Sequence, residues 1–216
     1  MTPPAVIAID GPGAAGKGTL AKRLAAELGL LHLDTGLLYR GVARRVLDRG
    51  ADPRDAAVAE REARALLASD LQRDDLRGPG ADMAASAVSA IPGVRAALLG
   101  FQREFGRGGA VLDGRDIGTV VFPDAPAKLF VTASVEARAR RRLEELLRQG
   151  VPADPETVEA ELRRRDRQDA ERSAAPLRAA PDALLLDTTA LGIDAAFALA
   201  LALVREKLAA PASRRD

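Results

Sequence analysis

Cysteine and tryptophan are both missing from this chain of 216 residues, and aromatic residues make up only 3% of it. Without cysteine the protein forms no disulfide, thiol nucleophile or zinc-thiolate site, and a reducing compartment suits it. Few aromatic side chains argue against a nucleic-acid binder that stacks bases. Asparagine is also absent, so the chain has no Asn-Lys-x-Asp segment, with which nucleotide-dependent switches usually read guanine.

Neither sign of charge is in excess. The chain has 32 Lys and Arg against 31 Asp and Glu, a net charge of +1, whereas general nucleic-acid binders show a basic excess. This balance disfavours an Arg-rich RNA-binding module. Nearly all the cations are arginine, since lysine occurs only at 17, 22, 128 and 207. Outside a motif, an arginine is best interpreted as compositional bias on a solvated helix face.

Long apolar runs are absent too. No stretch approaches the ~20 apolar residues that cross a bilayer, and the run at residues 5–9 lacks the basic leader and length of a signal peptide. With an apolar fraction of 47%, residues 1–216 can bury the core of one domain. We therefore expect a single-domain, monomeric cytoplasmic protein whose tail, 211–216, is frayed.

Short apolar runs alternate with segments of helical periodicity. The predicted strands are 6–9, 30–33, 110–112, 128–132 and 184–186. The first predicted helix begins after a glycine-rich loop that follows the first strand, and it ends at Gly29. The other predicted helices are 37–49, 83–105 with a break at Pro92, 136–147, a segment after Pro155, and 193–208. This alternation predicts an α/β fold with a central parallel sheet of five strands flanked by helices. The charged, alanine-rich segment 52–77 is expected to pack loosely.

Four aspartates, Asp10, Asp34, Asp113 and Asp187, follow or end predicted strands. Ligands of such sheets bind outside the carboxyl ends of the strands, so these carboxylates are candidates for a site. The alternative for each is that it caps the next helix, and this applies most to Asp187.

A glycine loop joins the first strand to the first helix, and its spacing is that of a phosphate-binding loop. Consecutive N–H groups of such a loop wrap phosphate, and the helix N-terminus adds positive charge. The residues predicted to bind ATP here are Gly11, Pro12, Gly13, Ala14, Ala15, Gly16, Lys17, Gly18 and Thr19. Gly18 stands where the usual pattern has a hydroxyl, which here comes one residue later.

A nucleoside triphosphate is handled with Mg²⁺, and this needs an acidic residue after another strand. Asp113 is the best candidate, and it would hold the metal directly or through water because Mg²⁺ takes few protein ligands. Thr19 is the predicted second metal-associated residue. The only histidine, His32, is predicted to be structural.

Several further motifs occur in one order: Asp34-Thr35-Gly36 with Arg40, Ser86 with Arg95, Asp113 to Ala125, and Arg165 to Leu177. With the Gly18-Thr19 form of the loop they resemble bacterial cytidylate kinases, a branch of the nucleoside monophosphate kinases. The resemblance covers about residues 5–205, and the block from Asp113 to Ala125 is its most specific part. It implies a P-loop kinase that transfers the γ-phosphoryl group of ATP to CMP or dCMP, with Mg²⁺.

The resemblance also implies roles for single residues. Those expected to bind the acceptor nucleotide CMP are Thr35, Arg40, Ser86, Arg95, Arg115, Asp116, Arg165, Asp169 and Arg172. Those expected to be catalytic are Lys17, Asp113, Arg115 and Arg172. Three arginines, Arg138, Arg141 and Arg142, are expected to reach the donor phosphates from a mobile lid at about 136–172. An acceptor-binding helical region is expected at about 37–105, and it is reduced because the stretch 69–85 is short.

Base chemistry supports part of this assignment. Cytosine presents an amine donor at N4 beside acceptors at N3 and O2, so a carboxylate such as Asp116 with a donor such as Arg95 complements its edge. An alternative for Arg95 and Ser86 is an ordinary pair on a helix surface. A kinase of UMP or AMP, and a non-enzymatic nucleotide switch, are the alternative functions.

Overall fold

A computed structural model of the chain describes residues 5–209, apart from the side chain of Pro79. The predicted frayed tail at 211–216 lies outside the described residues. The chain forms two compact units: the first combines the chain up to Leu33 with the chain from Gly106 onward, and the second is Asp34–Phe105. The second unit nearly coincides with the region predicted to bind the acceptor, and that role stays a prediction.

Five short strands form one sheet. They are β1 Val6–Asp10, β2 Leu31–Asp34, β3 Ala110–Gly114, β4 Ala127–Thr132 and β5 Leu184–Asp187. The spatial order is β2-β3-β1-β4-β5. Strand β1 pairs in parallel with β3 and β4, and β4 pairs in parallel with β5. The predicted α/β fold with a five-stranded parallel sheet flanked by helices is confirmed.

Residues 5–209 contain eight α-helices. They are α1 Lys17–Leu28, α2 Thr35–Asp48, α3 Ala56–Arg64, α4 Pro79–Ser89, α5 Pro92–Gly106, α6 Val135–Arg148, α7 Pro155–Glu171 and α8 Ile193–Ala209. Helix α1 ends at Gly29, whose φ of +66° is the left-handed conformation that glycine favours. The expected break near Pro92 is present between α4 and α5.

The core of the first unit lies between the sheet and helices α1 and α8. Ile7, Leu24, Leu129 and Val204 are each fully or almost fully buried in it. Strand β3 is buried along its whole length, which explains its apolar residues 110–112, because an inner strand of a parallel sheet is covered on both faces.

Helices α6 and α7 pack on each other through a small apolar cluster of their own. Ala139 and Leu146 of α6 meet Val158 and Leu162 of α7, and the loop residue Ala14 packs against them. These two helices form the region predicted to be a mobile lid, and its motion stays a prediction.

The segment 52–77 does not pack loosely, contrary to the expectation from its charge. Ala59, Ala63 and Leu76 are buried within the second unit, where α3 packs on α2. The Glu62 carboxylate is only 1% exposed and pairs with Arg45 at 3.1 Å, Arg61 at 3.2 Å and Arg49. Charged residues therefore hold this segment in place by pairing, a role that hydropathy does not reveal.

We expect Glu62→Gln to lower the free energy of unfolding at pH 7 by about 1–2 kcal/mol, because it weakens hydrogen bonds to charged groups that are partly solvated. Burial alone would raise the pKa of Glu62, but hydrogen bonds from Arg61 and Arg49 and the nearby charges hold it below its usual value. The stabilisation is therefore present above that usual value and is lost as the pH falls through the lowered one.

Urea unfolding of wild type and variant at pH 7 and near pH 3 tests this expectation. The difference should shrink at the lower pH. A matched control is Glu60→Gln on the same helix, whose carboxylate is 30% exposed and faces Arg64 at 3.4 Å. An equal loss at both pH values would contradict the proposed ionic role.

No single helix among residues 5–209 is long and apolar enough to cross a membrane. Helices at Gly80–Ser89 and Pro92–Gly106 reach that length and composition only as a pair, and they are bent by 95° relative to each other.

Candidate active site

The glycine loop between β1 and α1 has the backbone of a phosphate-binding loop. Gly11 has φ +154°, and a Cβ atom there would lie 2.0 Å from the carbonyl oxygen of Val131 in β4. Only glycine fits so close to a neighbouring strand. Gly16, at the N-terminus of α1, has φ +90°. The loop thus leads into the helix end whose first N–H groups lack partners within the helix and attract anions.

Lys17 is the first residue of α1, and its side chain folds back over this loop. It is buried, and its ammonium Nζ donates to the carbonyl oxygen of Pro12 at 3.2 Å. The ammonium therefore already lies beside the loop that is predicted to hold the donor phosphates.

Asp113 lies at the carboxyl end of β3, buried beside the start of α1. A Cβ atom at Gly18 would lie 3.6 Å from the Asp113 carboxylate oxygen Oδ2, while Thr19 is exposed. Glycine thus occupies the position that faces the carboxylate, whereas the threonine one residue later is exposed. Gly18, which stands where the usual loop sequence has a hydroxyl residue, therefore leaves space next to the carboxylate.

His32 contacts Asp113, which the sequence did not predict. Its Nε2 lies 2.8 Å from Oδ1 of Asp113. The two residues are 81 positions apart in the chain, and only the neighbouring places of β2 and β3 in the sheet bring them together. The predicted structural role of His32 thus becomes more specific, because the residue that it holds is the best candidate for metal association.

Two arginines pair with Asp169 of α7. Arg115 donates from Nε to the carboxylate at 2.8 Å, and Arg172 lies 3.7 Å from it. Burial by itself would raise the pKa of Asp169, but the charge and hydrogen bond of Arg115 and the charges of Arg172 and Arg165 hold it below its usual value. Guanidinium groups gathered in this way suit a phosphate group, whose oxygens they bind in bidentate fashion.

This arginine cluster, Arg115, Arg165, Arg172 and Asp169, borders the phosphate-binding loop. A Cβ atom at Gly13 would lie 3.8 Å from Nη2 of Arg115. Two features that suit anions, one made of backbone and one of guanidinium groups, are therefore neighbours within the first unit. Such an arrangement can hold two phosphate groups close to each other.

The three arginines predicted for the lid all have protein partners. Arg138 is buried and donates to both carboxylate oxygens of Asp166, at 3.1 and 2.7 Å, and to the loop carbonyl of Gly13 at 3.3 Å. Arg141 donates to Thr188, and Arg142 donates to Glu145 at 2.8 Å. Arg138 thus links the α6–α7 pair to the phosphate-binding loop. Contact with donor phosphates stays a prediction for all three.

Four of the predicted acceptor residues belong to the second unit, 34–105. Thr35 is buried at the start of α2, where Asp34 accepts a hydrogen bond from the N–H of Gly36 at 2.9 Å. Arg40 donates twice to Asp82, at 3.1 and 2.8 Å. The carboxylate thus fixes the direction of this guanidinium, and no motif in the sequence indicates that partner.

The other two, Ser86 and Arg95, lie on α4 and α5. The Arg95 guanidinium lies over the ring of Tyr39, 5.3 Å from its centre, a cation–π contact, and donates to the carbonyl of Ser89 at 3.2 Å. Ser86 is half-buried. Tyr39 is a neighbour of Arg95 that sequence reasoning missed, because the contact joins two helices of the second unit.

Comparison with known proteins decides the family. The sequence profile described as cytidylate kinase matches residues 7–206. This chain belongs to the cytidylate kinase family. The resemblance deduced from the motifs is therefore confirmed, as is the interpretation of the chain as a transferase.

Two curated relatives are named cytidylate kinase. The protein from Acidiphilium cryptum is 60% identical over 97% of this chain and 99% of its own. That from Granulibacter bethesdensis is also 60% identical, over 94% of this chain and 97% of its own. A solved structure of an uncharacterized protein from Eubacterium ventriosum is 14% identical, with a TM-score of 0.54 over 93% of this chain and 98% of that one. The last comparison concerns the fold alone.

Proposed function

We propose that this chain transfers the γ-phosphoryl group of ATP to the phosphate of CMP or dCMP, giving ADP and CDP or dCDP. The observation that carries the proposal is the arginine cluster beside the phosphate-binding loop. The loop suits the phosphates of ATP, and the cluster suits the phosphate of a nucleoside monophosphate. Membership of the cytidylate kinase family supports cytosine as the base.

In the reaction an acceptor phosphate oxygen attacks the γ-phosphorus of ATP, and the bond from that phosphorus to the bridging oxygen of ADP breaks. No general base is needed, because the second pKa of a phosphate monoester is about 6 and the attacking oxygen is largely anionic at neutral pH. What the protein must do is bring two anions together in line.

Lys17, Arg115 and Arg172 are the residues that we expect to do this. Lys17 would turn from the Pro12 carbonyl to the transferred phosphate, while Arg115 and Arg172 would hold the acceptor phosphate. Arginine binds phosphate oxygens in bidentate fashion, which fixes orientation as well as charge. Electrostatic stabilisation of this kind is usually the largest contribution to such a reaction.

The residues near Asp113 fit a magnesium ion bound together with the nucleotide. A buried carboxylate beside space left by glycine suits a metal that keeps waters and takes only one or two protein carboxylates. Asp113, through water, and Thr19 would hold Mg²⁺, which supplies neutralisation of the phosphate charge. Among residues 5–209 there is no group of three or more His, Cys, Asp or Glu able to hold a metal by itself.

The remaining acceptor residues are assigned by the family's motifs. We propose that Thr35 and Arg40 bind near the acceptor phosphate, that Ser86, Arg95 and Asp116 address cytosine, and that Arg165 and Asp169 address the sugar. For Asp116 the structure adds that its side chain is buried, so a base that presents an acceptor atom to this carboxylate is disfavoured.

A comparison of acceptors tests the function. With ATP and Mg²⁺, we expect CMP and dCMP to be phosphorylated with a kcat/KM at least tenfold above that for UMP or AMP, since one unpaired buried polar group costs about 1–3 kcal/mol. A coupled assay of ADP release, with product identified by chromatography, measures it. Equal or better turnover of UMP or AMP would favour the alternative kinases, and no phosphorylation of any acceptor would favour a nucleotide switch.

The Asp116→Asn variant refines the same test. It should lower the ratio of CMP to UMP turnover, because the amide can donate to the O4 atom of uracil. An unchanged ratio would remove Asp116 from base recognition.

We also propose that the enzyme works as a monomer in the cytoplasm. The lack of cysteine suits a reducing compartment, and light scattering of the purified protein measures the oligomeric state. A dimer mass would overturn the monomer proposal.

A further inference from the structure

Asp10 is a buried carboxylate that the reaction described above does not use. It is the last residue of β1 and directly precedes Gly11 of the phosphate-binding loop. Its side chain is only 4% exposed. Burying a carboxylate costs free energy unless its oxygens are hydrogen-bonded, so the partners of Asp10 indicate what it does.

Both carboxylate oxygens of Asp10 accept backbone N–H groups from one turn. Oδ1 accepts the N–H of Ile117 and Oδ2 that of Gly118, each at 2.7 Å. These residues begin the short π-helical turn Ile117–Val121 that follows Asp116. The first N–H groups of a helical turn have no partner within it. Asp10, at the end of β1, therefore caps this turn although the two are 107 residues apart in the sequence.

Strand pairing in the sheet holds the backbone just before Arg115, on the other side of Arg115 and Asp116 from the capped turn. In the pairing of β1 with β3, Asp10 lies opposite Gly114, the residue before Arg115. The backbone is thus fixed to β1 immediately before Arg115 by strand pairing and immediately after Asp116 by the Asp10 carboxylate. Arg115 and Asp116 lie between these two attachments.

Gly118 shows how tightly this turn is held. A Cβ atom there would lie 3.1 Å from Cδ of Lys128 and 3.4 Å from Oδ2 of Asp10. Lys128 is itself buried, and its ammonium donates to the carbonyl oxygen of Pro123 and to Asp182 at 2.8 Å. The segment from Gly118 to Pro123 is therefore fastened by a buried anion at its start and a buried cation at its end.

We propose that Asp10 is a positioning residue that fixes Arg115 and Asp116 relative to the phosphate-binding loop. Strand β1 leads into the phosphate-binding loop. Through Asp10, the same strand also fixes the positions of Arg115 and Asp116, which are assigned to the acceptor. The assignment of those two residues to CMP rests on the proposed function. The attachment itself rests on the hydrogen bonds alone.

The electrostatics of Asp10 agree with this role. Burial raises the pKa of Asp10 to about 6, although the hydrogen bonds from Gly118 and Ile117 lower it. The charge of Asp116 raises this pKa further, and that of Lys17 lowers it. Asp10 thus interacts electrostatically with a residue assigned to the acceptor and with one assigned to the donor.

The test is Asp10→Asn, which keeps the size of the side chain but offers one acceptor oxygen and places an NH₂ group against a backbone N–H. Amide exchange at Ile117 and Gly118, followed by NMR, should become at least tenfold faster, while exchange in β4 stays unchanged. This readout does not depend on the reaction. Unchanged exchange at both amides would overturn the proposal, whatever the substrate is.

Kinetics provide the second readout. In the folded variant we expect KM for CMP to rise and kcat to fall by about tenfold each, with KM for ATP within about twofold of wild type. Unchanged parameters, or a change confined to ATP, would overturn the positioning role. If wild type fails to phosphorylate CMP, the proposed function fails, and the exchange result decides the role of Asp10 separately.

Two further variants complete the experiment. Asp187→Asn, at the exposed end of β5, is the matched control, since asparagine can keep the turn in which Asp187 accepts the N–H of Thr189 at 2.8 Å. It should change neither readout. If Asp10→Asn does not fold, Gly118→Ala decides, because its methyl group displaces the same turn. A selective rise in KM for CMP would support the proposal, and an unchanged KM would overturn it.

Discussion

Arg172→Ala is expected to lower kcat/KM for CMP by about 10³-fold while leaving the fold intact. An arginine that stabilises a transferring phosphoryl group is worth this order of magnitude. Arg172 lies 3.7 Å from Asp169, within the arginine cluster that borders the phosphate-binding loop. Because it follows the end of α7, its removal breaks no helix. Steady-state assays with CMP and ATP, together with circular dichroism, measure both parts of the expectation.

The matched control for this variant is Arg163→Ala, within the helix α7 that Arg172 follows. Its guanidinium is 47% exposed and pairs with Glu159 at 2.8 Å on the surface. We expect its activity to stay within about twofold of wild type, because exposed ion pairs contribute little. Arg172→Lys should recover only part of the rate, since lysine keeps the charge and loses the bidentate geometry. Normal turnover in folded Arg172→Ala would remove this residue from the mechanism.

Asp113→Ala should have the second-largest effect, a loss of about 10²-fold in kcat with a higher requirement for Mg²⁺. The carboxylate is buried beside the first turn of α1, and His32 fixes it at 2.8 Å. Thr19, the other residue proposed for the metal, is exposed, so Asp113 is the buried one of the two. Measuring kcat at saturating ATP and CMP over a series of Mg²⁺ concentrations tests the expectation.

Asp113→Asn separates charge from packing in this experiment. The amide fills the same space and can still meet His32, so a comparable loss of rate in both variants would assign the effect to the charge. Asp187→Asn is the control, because it changes an exposed aspartate at another strand end. Full activity of Asp113→Ala at ordinary Mg²⁺ would show that the carboxylate has no part in the reaction.

The fold was largely predictable because its signals are local. The strand at Val6–Asp10 and the helix that ends at Gly29 are encoded by a short apolar run and by periodic leucines. The packing of the segment 52–77 cannot be predicted from such local signals. Its charges look solvated in sequence, but Glu62 is buried among arginines that come partly from α2.

The sequence allowed most residues of the candidate site to be predicted, but not the contacts between them. The motifs identified Arg115, Asp116, Asp169 and Arg172, but they could not show that Asp169 gathers the arginines around itself. Arg115 and Asp169 are 54 residues apart. The position of Asp10 at a strand end made it a candidate, but no motif indicated its partners, which lie more than 100 residues further along the chain.

By itself, the sequence determined the glycine loop with the spacing of a phosphate-binding loop, the alternation of strands and helices, and the family to which the chain belongs. The tertiary structure decided which charged groups meet: His32 with Asp113, Asp10 with the turn after Asp116, and Arg115 with Asp169. The physical reason is that periodicity and loop spacing act over a few residues, whereas these contacts depend on strand order. The sheet places β1, the first strand in the chain, between β3 and β4, and this arrangement brings residues more than 100 positions apart into hydrogen-bonding distance.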